Sequence, residues 1–305
     1  TYVYSRYTPA FYLGGLRYAV DWGSVNGIEF FEERNQVYGG VTYPFGHQTL
    51  SLGYFYEHRS AFTDLAVNLI NMEPYAGFRF EYGVSNFKRY VNSISPENGY
   101  SFKLGGEWTD SLFGSDGVNE EQAVHADLRG YLEMPWADHH VLAVRVGAGT
   151  VWGDQQQFGA YRLGGAFGEG PGAGYSTRLF PLRGLSGVTY GGDQVAIFST
   201  EYRFPIATRA NFGIGTWPIF VDKIYLALFA DGGDIRYRTD SEELFSRFFL
   251  ATGVEISGNF VIGYGLPLTG RMGYGIILTN RDRLGTLVDS ITRQSLRNGS
   301  VYLQL

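Results

Sequence analysis

The chain has 305 residues, enough for one large domain or two small ones, with 18% charged residues, 23 Tyr, 23 Phe, 43 Gly and only 10 Pro. Few charges beside many aromatics and glycines point to strands and turns rather than helices. A net charge of −6 argues against nucleic acid as a partner, the lack of cysteine excludes disulfides and thiol chemistry, and no run reaches the ~18 apolar residues of a membrane helix.

Mean hydropathy of −0.12 suits a soluble protein and equally a membrane barrel, where half of every strand faces a polar lumen. The start, "TYVYSRYTPAF", lacks the basic and apolar regions of a signal peptide and reads as a mature chain or an excised domain.

From there the dominant pattern is alternation with period two. Strands are expected near 2–8, 11–21, 28–33, 37–44, 48–58, 64–71, 75–84 and 87–94 in the first part. In "QTLSLGYFYEH", Leu50, Leu52, Tyr54 and Tyr56 share one face; Thr49, Ser51, Gly53 and Glu57 lie on the other, with Phe55 the exception. In "YAGFRFEYG", Ala76, Phe78, Phe80 and Tyr82 oppose Gly77, Arg79, Glu81 and Gly83. The second part gives strands near 100–109, 123–134, 141–152, 193–204, 224–234, 248–258, 269–279 and 300–305. In "VHADLRGYLEM", Val124, Ala126, Leu128, Leu132 and Met134 oppose His125, Asp127, Arg129 and Glu133. Charges recur on the second face strand after strand: Arg79, Glu81, Lys103, Glu107, Asp127, Arg129, Arg145 and Arg203.

A soluble sandwich alternates too, but its apolar face is mixed aliphatic core. Here aromatics gather near strand ends, as at Tyr54, Tyr56, Trp108 and Trp152, which fits girdles at two membrane interfaces. Tight connections such as "PFGH", "SPENG" and "PWADHH" contrast with long polar ones such as "DSLFGSDGVNEEQ" and "TNRDRLGTLVDSITRQSLRNG". Short turns on one side and long loops on the other match an outer-membrane barrel. The expected fold is therefore all-β: a transmembrane antiparallel β-barrel of about sixteen strands. It occupies residues 1–305 as a single domain, with mixed charges lining its lumen.

About sixteen strands enclose water unless something narrows the lumen. The longest connection, 153–192, is the expected inward-folded extracellular loop, and it carries "FPLRGLSG". A guanidinium in a polar lumen wants carboxylates placed for forked hydrogen bonds. Alternation on "QVAIFSTEYRFPI" points Glu201 and Arg203 inward, and on "IYLALFADGGD" it points Asp231 inward. Arg183 is thus expected between Glu201 and Asp231, holding the loop inside the barrel, with Gly184 allowing a tight turn against the wall.

Several motifs, in order, resemble the BamA/TamA family of outer-membrane barrels. "FPLRGL" resembles the loop motif of that family, with Leu185 where an aromatic is usual. "EYRFP" resembles the strand after the loop, "FADGGDI" the next strand, and "SPENGYSFKLGGEW" the periplasmic turn and strand at mid-barrel. Order and spacing fit from about residue 95 to 258. The resemblance implies that Arg183 is the lock arginine, with Glu201 and Asp231 as acceptors. It further implies a bacterial outer-membrane protein acting in insertion or translocation of polypeptides. Its partners would be outer-membrane lipid and lipopolysaccharide and periplasmic or outer-membrane accessory proteins. The alternative is a channel, or a structural barrel anchoring a periplasmic partner or domain, with the long loop as plug. Two features depart from the family's pattern: the 305 residues hold no periplasmic transport domain of their own, and the terminal "GSVYLQL" does not end on an aromatic.

No enzyme, cofactor or metal is implied. His139 and His140 are neighbours in a turn and point apart, and His125 falls on the charged face. Ser186 in "GLSGV" lacks the spacing of a nucleophile elbow. "GEGPGAG" has no strand-to-helix context for phosphate, and "NGS" at 298–300 is an isolated glycosylation pattern.

Overall fold

The computed structural model describes residues 8–25, 28–63, 68–90, 92–116, 120–153, 161–165, 178–185, 189–208, 212–213, 219–238, 248–263, 265–280 and 299–304. Strands dominate them. They are β1 (Ala10–Val25), β2 (Ile28–Phe45), β3 (Gln48–Thr63), β4 (Asn68–Ser85), β5 (Gly99–Thr109), β6 (Glu121–Glu133) and β7 (Val141–Gly153). Next come β8 (Tyr161–Gly164), β9 (Leu179–Phe180), β10 (Thr189–Gly192), β11 (Gln194–Ala207) and β12 (Phe212–Gly213). The last four are β13 (Ile219–Arg236), β14 (Phe249–Ile262), β15 (Leu266–Ile277) and β16 (Ser300–Gln304).

One sheet follows the order β1-β2-β3-β4-β5-β6-β7-β11-β13-β14-β15-β16, and β12 adds a short pairing beside β13. The path has two ends, and no hydrogen bond joins β1 to β16 among the described residues. A second, three-stranded sheet has the order β10-β8-β9.

Among the described residues the main path holds twelve strands, against an expectation of about sixteen for the whole chain. Two expected pairs are single strands. The expected break at 34–36 is absent: the strand continues as β2, and side chains along it pair sideways. Gln36 Nε2 donates to Glu57 Oε2 at 3.0 Å, and Arg17 pairs with Glu33. Residues 64–71 and 75–84 likewise belong to β4, whose register against β3 shifts between Glu57 and Arg59. Glu73 and Pro74 face only His58 there, a bulge that spares the ladder the proline's missing N–H. The expected strand 87–94 is a single bridge, Lys88 to Asn98, followed by a turn that buries Ser93, Ile94, Ser95 and Glu97. The expected strand 2–8 lies almost wholly outside the described residues, as do Ser186, the glycine run 168–174 and Asn298.

The chain divides into two compact units. The first comprises Thr1–Val84, Lys103–Ala126 and Thr150–Ala160. On its β3, Leu50, Leu52, Tyr54 and Tyr56 are exposed while Gly53, Phe55 and Glu57 are buried. Phe55, the exception to the alternation, lies on the polar face beneath Arg79, whose Cζ is 3.8 Å from the ring centroid. Exposed apolar side chains beside a buried polar face invert the layout of a soluble sheet and suit hydrocarbon outside.

The second unit comprises Ser85–Phe102, Asp127–Gly149 and Tyr161–Leu305. On β11 and β13 the side chains Val195, Ile197, Tyr225, Ala227, Phe229 and Asp231 are buried, and Phe198 and Leu228 are exposed. The small sheet and the segment after β9 contribute Leu163, Phe180, Leu182 and Leu185 to the same buried layer. Fully burying a leucine stabilises by about 1.5–3 kcal/mol, so Leu182 and Leu185 help pin the turn between them by apolar contact.

Candidate functional site

That turn is the 3₁₀ segment Arg183–Leu185, closed by Leu185 N donating to Leu182 O at 2.8 Å. The end of β8 braces it: Leu182 N donates to Gly165 O at 3.0 Å, and Gly165 N to Leu185 O at 2.9 Å. Both leucines are fully buried, and of the two residues between them Arg183 projects toward Asp231 and Glu201 on the polar face of β11 and β13. Gly184 is required by closeness rather than by its dihedrals. A Cβ there would lie 2.6 Å from the Ala251 side chain and 3.0 Å from that of Ile277, and Gly184 is not among the positive-φ glycines.

The Arg183 guanidinium has a partner on every side. Nε donates to Asp231 Oδ2 at 2.7 Å and Nη2 to Oδ1 at 2.6 Å, the bidentate fork expected of arginine with a carboxylate. Nη2 also donates to Ser199 Oγ at 3.1 Å, and Ser199 Oγ donates to Asp231 Oδ1 at 2.7 Å. Nη1 is 2.7 Å from Glu201 Oε1 and 3.6 Å from Glu255 Oε2. The guanidinium lies over the Phe229 ring, its Cζ 3.8 Å from the centroid. Burial works against the guanidinium charge. The hydrogen bond to Asp231 and the fields of Glu201, Asp231 and Glu255 outweigh it, so the pKa is raised above its already high ordinary value.

Strand register supplies this geometry. Ser199 stands directly opposite Asp231, and Glu201 opposite Phe229. Asp231 stands opposite Ala251 on β14, and Glu255 opposite Ala227. Glu201 is shared with Arg203, whose Nη2 lies 2.5 Å from Glu201 Oε2. Glu255 receives neutral donors, Ser257 Oγ at 3.0 Å and Tyr302 OH at 2.9 Å. Two arginines and three carboxylates thus meet with hydroxyls filling the remaining acceptor positions, the condition under which buried charge is tolerated.

The structure brings Arg183, Gly184, Glu201 and Asp231 together, and Arg203 joins them through Glu201. The other charged residues singled out in the sequence stand elsewhere and pair among themselves. In the first unit Arg79 Nε is 2.7 Å from Glu107 Oε1, and Lys103 Nζ is 3.8 Å from Glu81 Oε1 with both side chains largely exposed. In the second, Asp127 takes Arg129 at 2.7 Å and Arg145 at 2.5 Å. The histidines have separate partners: His139 Nδ1 lies 2.6 Å from Glu97 Oε1, and His140 Nδ1 lies 2.8 Å from Tyr202 OH. Sequence reasoning missed Ser199, Phe229, Glu255 and Tyr302. Glu255 carried a signal, since it sits between the exposed Val254 and Ile256.

Residues 15–288 match the Omp85 superfamily domain. Among solved structures, the chain is similar to BamA from Haemophilus ducreyi lacking POTRA domains 1–3, at 14% identity and a TM-score of 0.51, over 87% of this chain and 57% of that one. It is similar to CdiB from Acinetobacter baumannii at 12% identity and 0.53, over 90% and 44%. It is similar also to CdiB from Escherichia coli at 13% identity and 0.52, over 90% and 46%. The chain spans about half the length of these solved relatives. No curated protein matches it.

Proposed function

The chain belongs to the Omp85 superfamily, and on that premise we propose that residues 1–305 act as one outer-membrane β-barrel domain that inserts or translocates polypeptides. In this reading the long sheet closes in the membrane, its exposed apolar face meets lipid and lipopolysaccharide, and the 153–192 loop lies inside. Arg183 locks the loop to the wall through Asp231 and Glu201, and Arg79, Glu81, Lys103, Glu107, Asp127, Arg129, Arg145 and Arg203 line the lumen. The work is done by lowering the barrier to strand insertion. The seam between first and last strands opens and templates an incoming strand, with periplasmic or outer-membrane accessory proteins delivering it.

The observation that carries the reading is the Arg183 cluster. A loop arginine that is buried, forked on Asp231 and stacked on Phe229 is placed to fix a long segment across a polar face. Depletion of the protein in its host is the test. Other outer-membrane barrels are expected to disappear from the membrane, and unchanged levels would remove insertion from consideration. The same packed loop also favours a second reading, a structural barrel or channel with the loop as plug. Planar-bilayer conductance separates that case: large, steady openings mark a channel, small and erratic ones a plugged barrel.

A further inference from the structure

We propose that the docked loop also holds the last strand in place, so that β16 and the Arg183 turn come and go together. The inference rests on reading Arg183 as the anchor of the loop, and it adds the element which that anchor governs.

β16 pairs with β15 over five positions only, from Gly275↔Ser300 to Arg271↔Gln304. A pairing this short, with one neighbour among the described residues, is marginal by itself. Its outward residues Val301 and Leu303 are exposed, whereas Ser300 and Tyr302 are buried on the polar face. There both reach past β15. Ser300 Oγ lies 3.4 Å from Arg183 O and 3.3 Å from Gly184 O, a shared contact with the backbone of the loop turn. Tyr302 OH donates to Glu255 Oε2 at 2.9 Å, and that same oxygen lies 3.6 Å from Arg183 Nη1.

Glycines in β15 make room for both crossings. A Cβ on Gly273 would lie 2.4 Å from the Tyr302 ring, and one on Gly275 would lie 3.0 Å from Arg183 O. A larger residue at Gly273 would force the Tyr302 ring to shift, and one at Gly275 would press the loop backbone away from β15. The terminal strand is therefore tied to the loop twice, through a carbonyl pair and through a carboxylate that faces both. Linkage makes the tie reciprocal: whatever the docked loop adds to the hold on β16, β16 adds to the docking of the loop.

The test is hydrogen exchange of the 300–304 amides together with protease sensitivity of the loop, on the full-length protein in lipid nanodiscs. Tyr302→Phe keeps the ring over Gly273 and removes only the hydroxyl, and Ser300→Ala removes the other tie. Each is expected to speed exchange in β16 about three- to tenfold while β13 amides stay unchanged, the loss of one modest hydrogen bond. Asp231→Asn is expected to expose the loop to protease and to speed β16 exchange about tenfold or more. A loop that becomes cleavable while β16 exchange stays the same would overturn the coupling and leave the anchor standing. A loop that stays resistant in Asp231→Asn would bring down the anchor and the coupling with it. Should Asp231→Asn fail to fold, the two hydroxyl variants decide, and unchanged β16 exchange in both overturns the proposal.

Discussion

Two arginines in this molecule occupy nearly the same chemical setting and serve opposite ends. Arg79 in the first unit lies 3.8 Å over the Phe55 ring and meets Glu107 at 2.7 Å. Arg183 in the second lies 3.8 Å over the Phe229 ring and meets Asp231 at 2.7 Å through the same nitrogen. Arg79, however, sits on β4, whose backbone is paired residue by residue with β3. Its side chain decorates a position that ladder hydrogen bonds already fix. Arg183 sits on a turn with no place in the main sheet, braced by two backbone hydrogen bonds to Gly165, so its side chain, with Leu182 and Leu185, supplies the hold on the wall. An ion pair matters most where the backbone has not already decided the matter.

The largest effect should follow from unbalancing the Arg183 cluster. Asp231→Asn removes the forked acceptor and leaves a buried guanidinium short of charge, a change that costs about 3–5 kcal/mol when one partner of a buried pair is removed. The melting midpoint of the heat-modifiable folded band should fall, and the loop should become cleavable. Gly184→Ala comes next. Its methyl would press on Ala251 and Ile277, and overpacking of this kind costs about 1–3 kcal/mol. A Gly184→Ala protein with unchanged melting and an intact loop would show that the turn has slack the packing does not display.

Much of this cluster was legible beforehand because facing is a local property. The alternation around Phe198, Thr200 and Tyr202 leaves Glu201 nowhere to go but the polar face, and Leu228 and Ala230 do the same for Asp231. Relative height along neighbouring strands is not local. That Glu255 lies level with Ala227 rather than with Asp231 depends on long-range register, which no stretch of sequence states, and so its approach to Arg183 went unread. Two expected strand boundaries fell away for the complementary reason. Residues 34–36 look like a break by polarity, yet Gln36 finds Glu57 across the ladder and the strand runs on. The turn at 92–97 was hidden by its tertiary contacts: Lys223, far off in sequence, donates to Ser93 O at 3.1 Å. A stretch with strand-like composition is drawn inward by partners it cannot know.

The comparison sharpens if Arg79 is removed. Arg79→Ala should destabilise by about 1–2 kcal/mol, less than Asp231→Asn, because the side chain is partly exposed and the ladder persists. The loop should stay protease-resistant. Release of the loop by this substitution would show that the polar face responds as one network and that the contrast drawn between the two arginines is false.

The smallest effect is expected at Lys103 and Glu81, and it tests the rule from the other side. Their charges are 3.8 Å apart and their side chains are 61% and 47% exposed. Water screens such a pair and ordering two long side chains costs entropy, so its net worth is about 0–1 kcal/mol. Both residues also sit on paired strands, so position is again settled by backbone. Lys103→Ala should leave the melting midpoint, loop protection and strand exchange where they were. If that substitution instead lowers the midpoint as far as Arg79→Ala does, exposure is a poor guide to the electrostatics of this face. Water near Lys103 would then screen far less than bulk solvent does, and the ranking by burial would have to be replaced by one that follows the number of charges each residue faces.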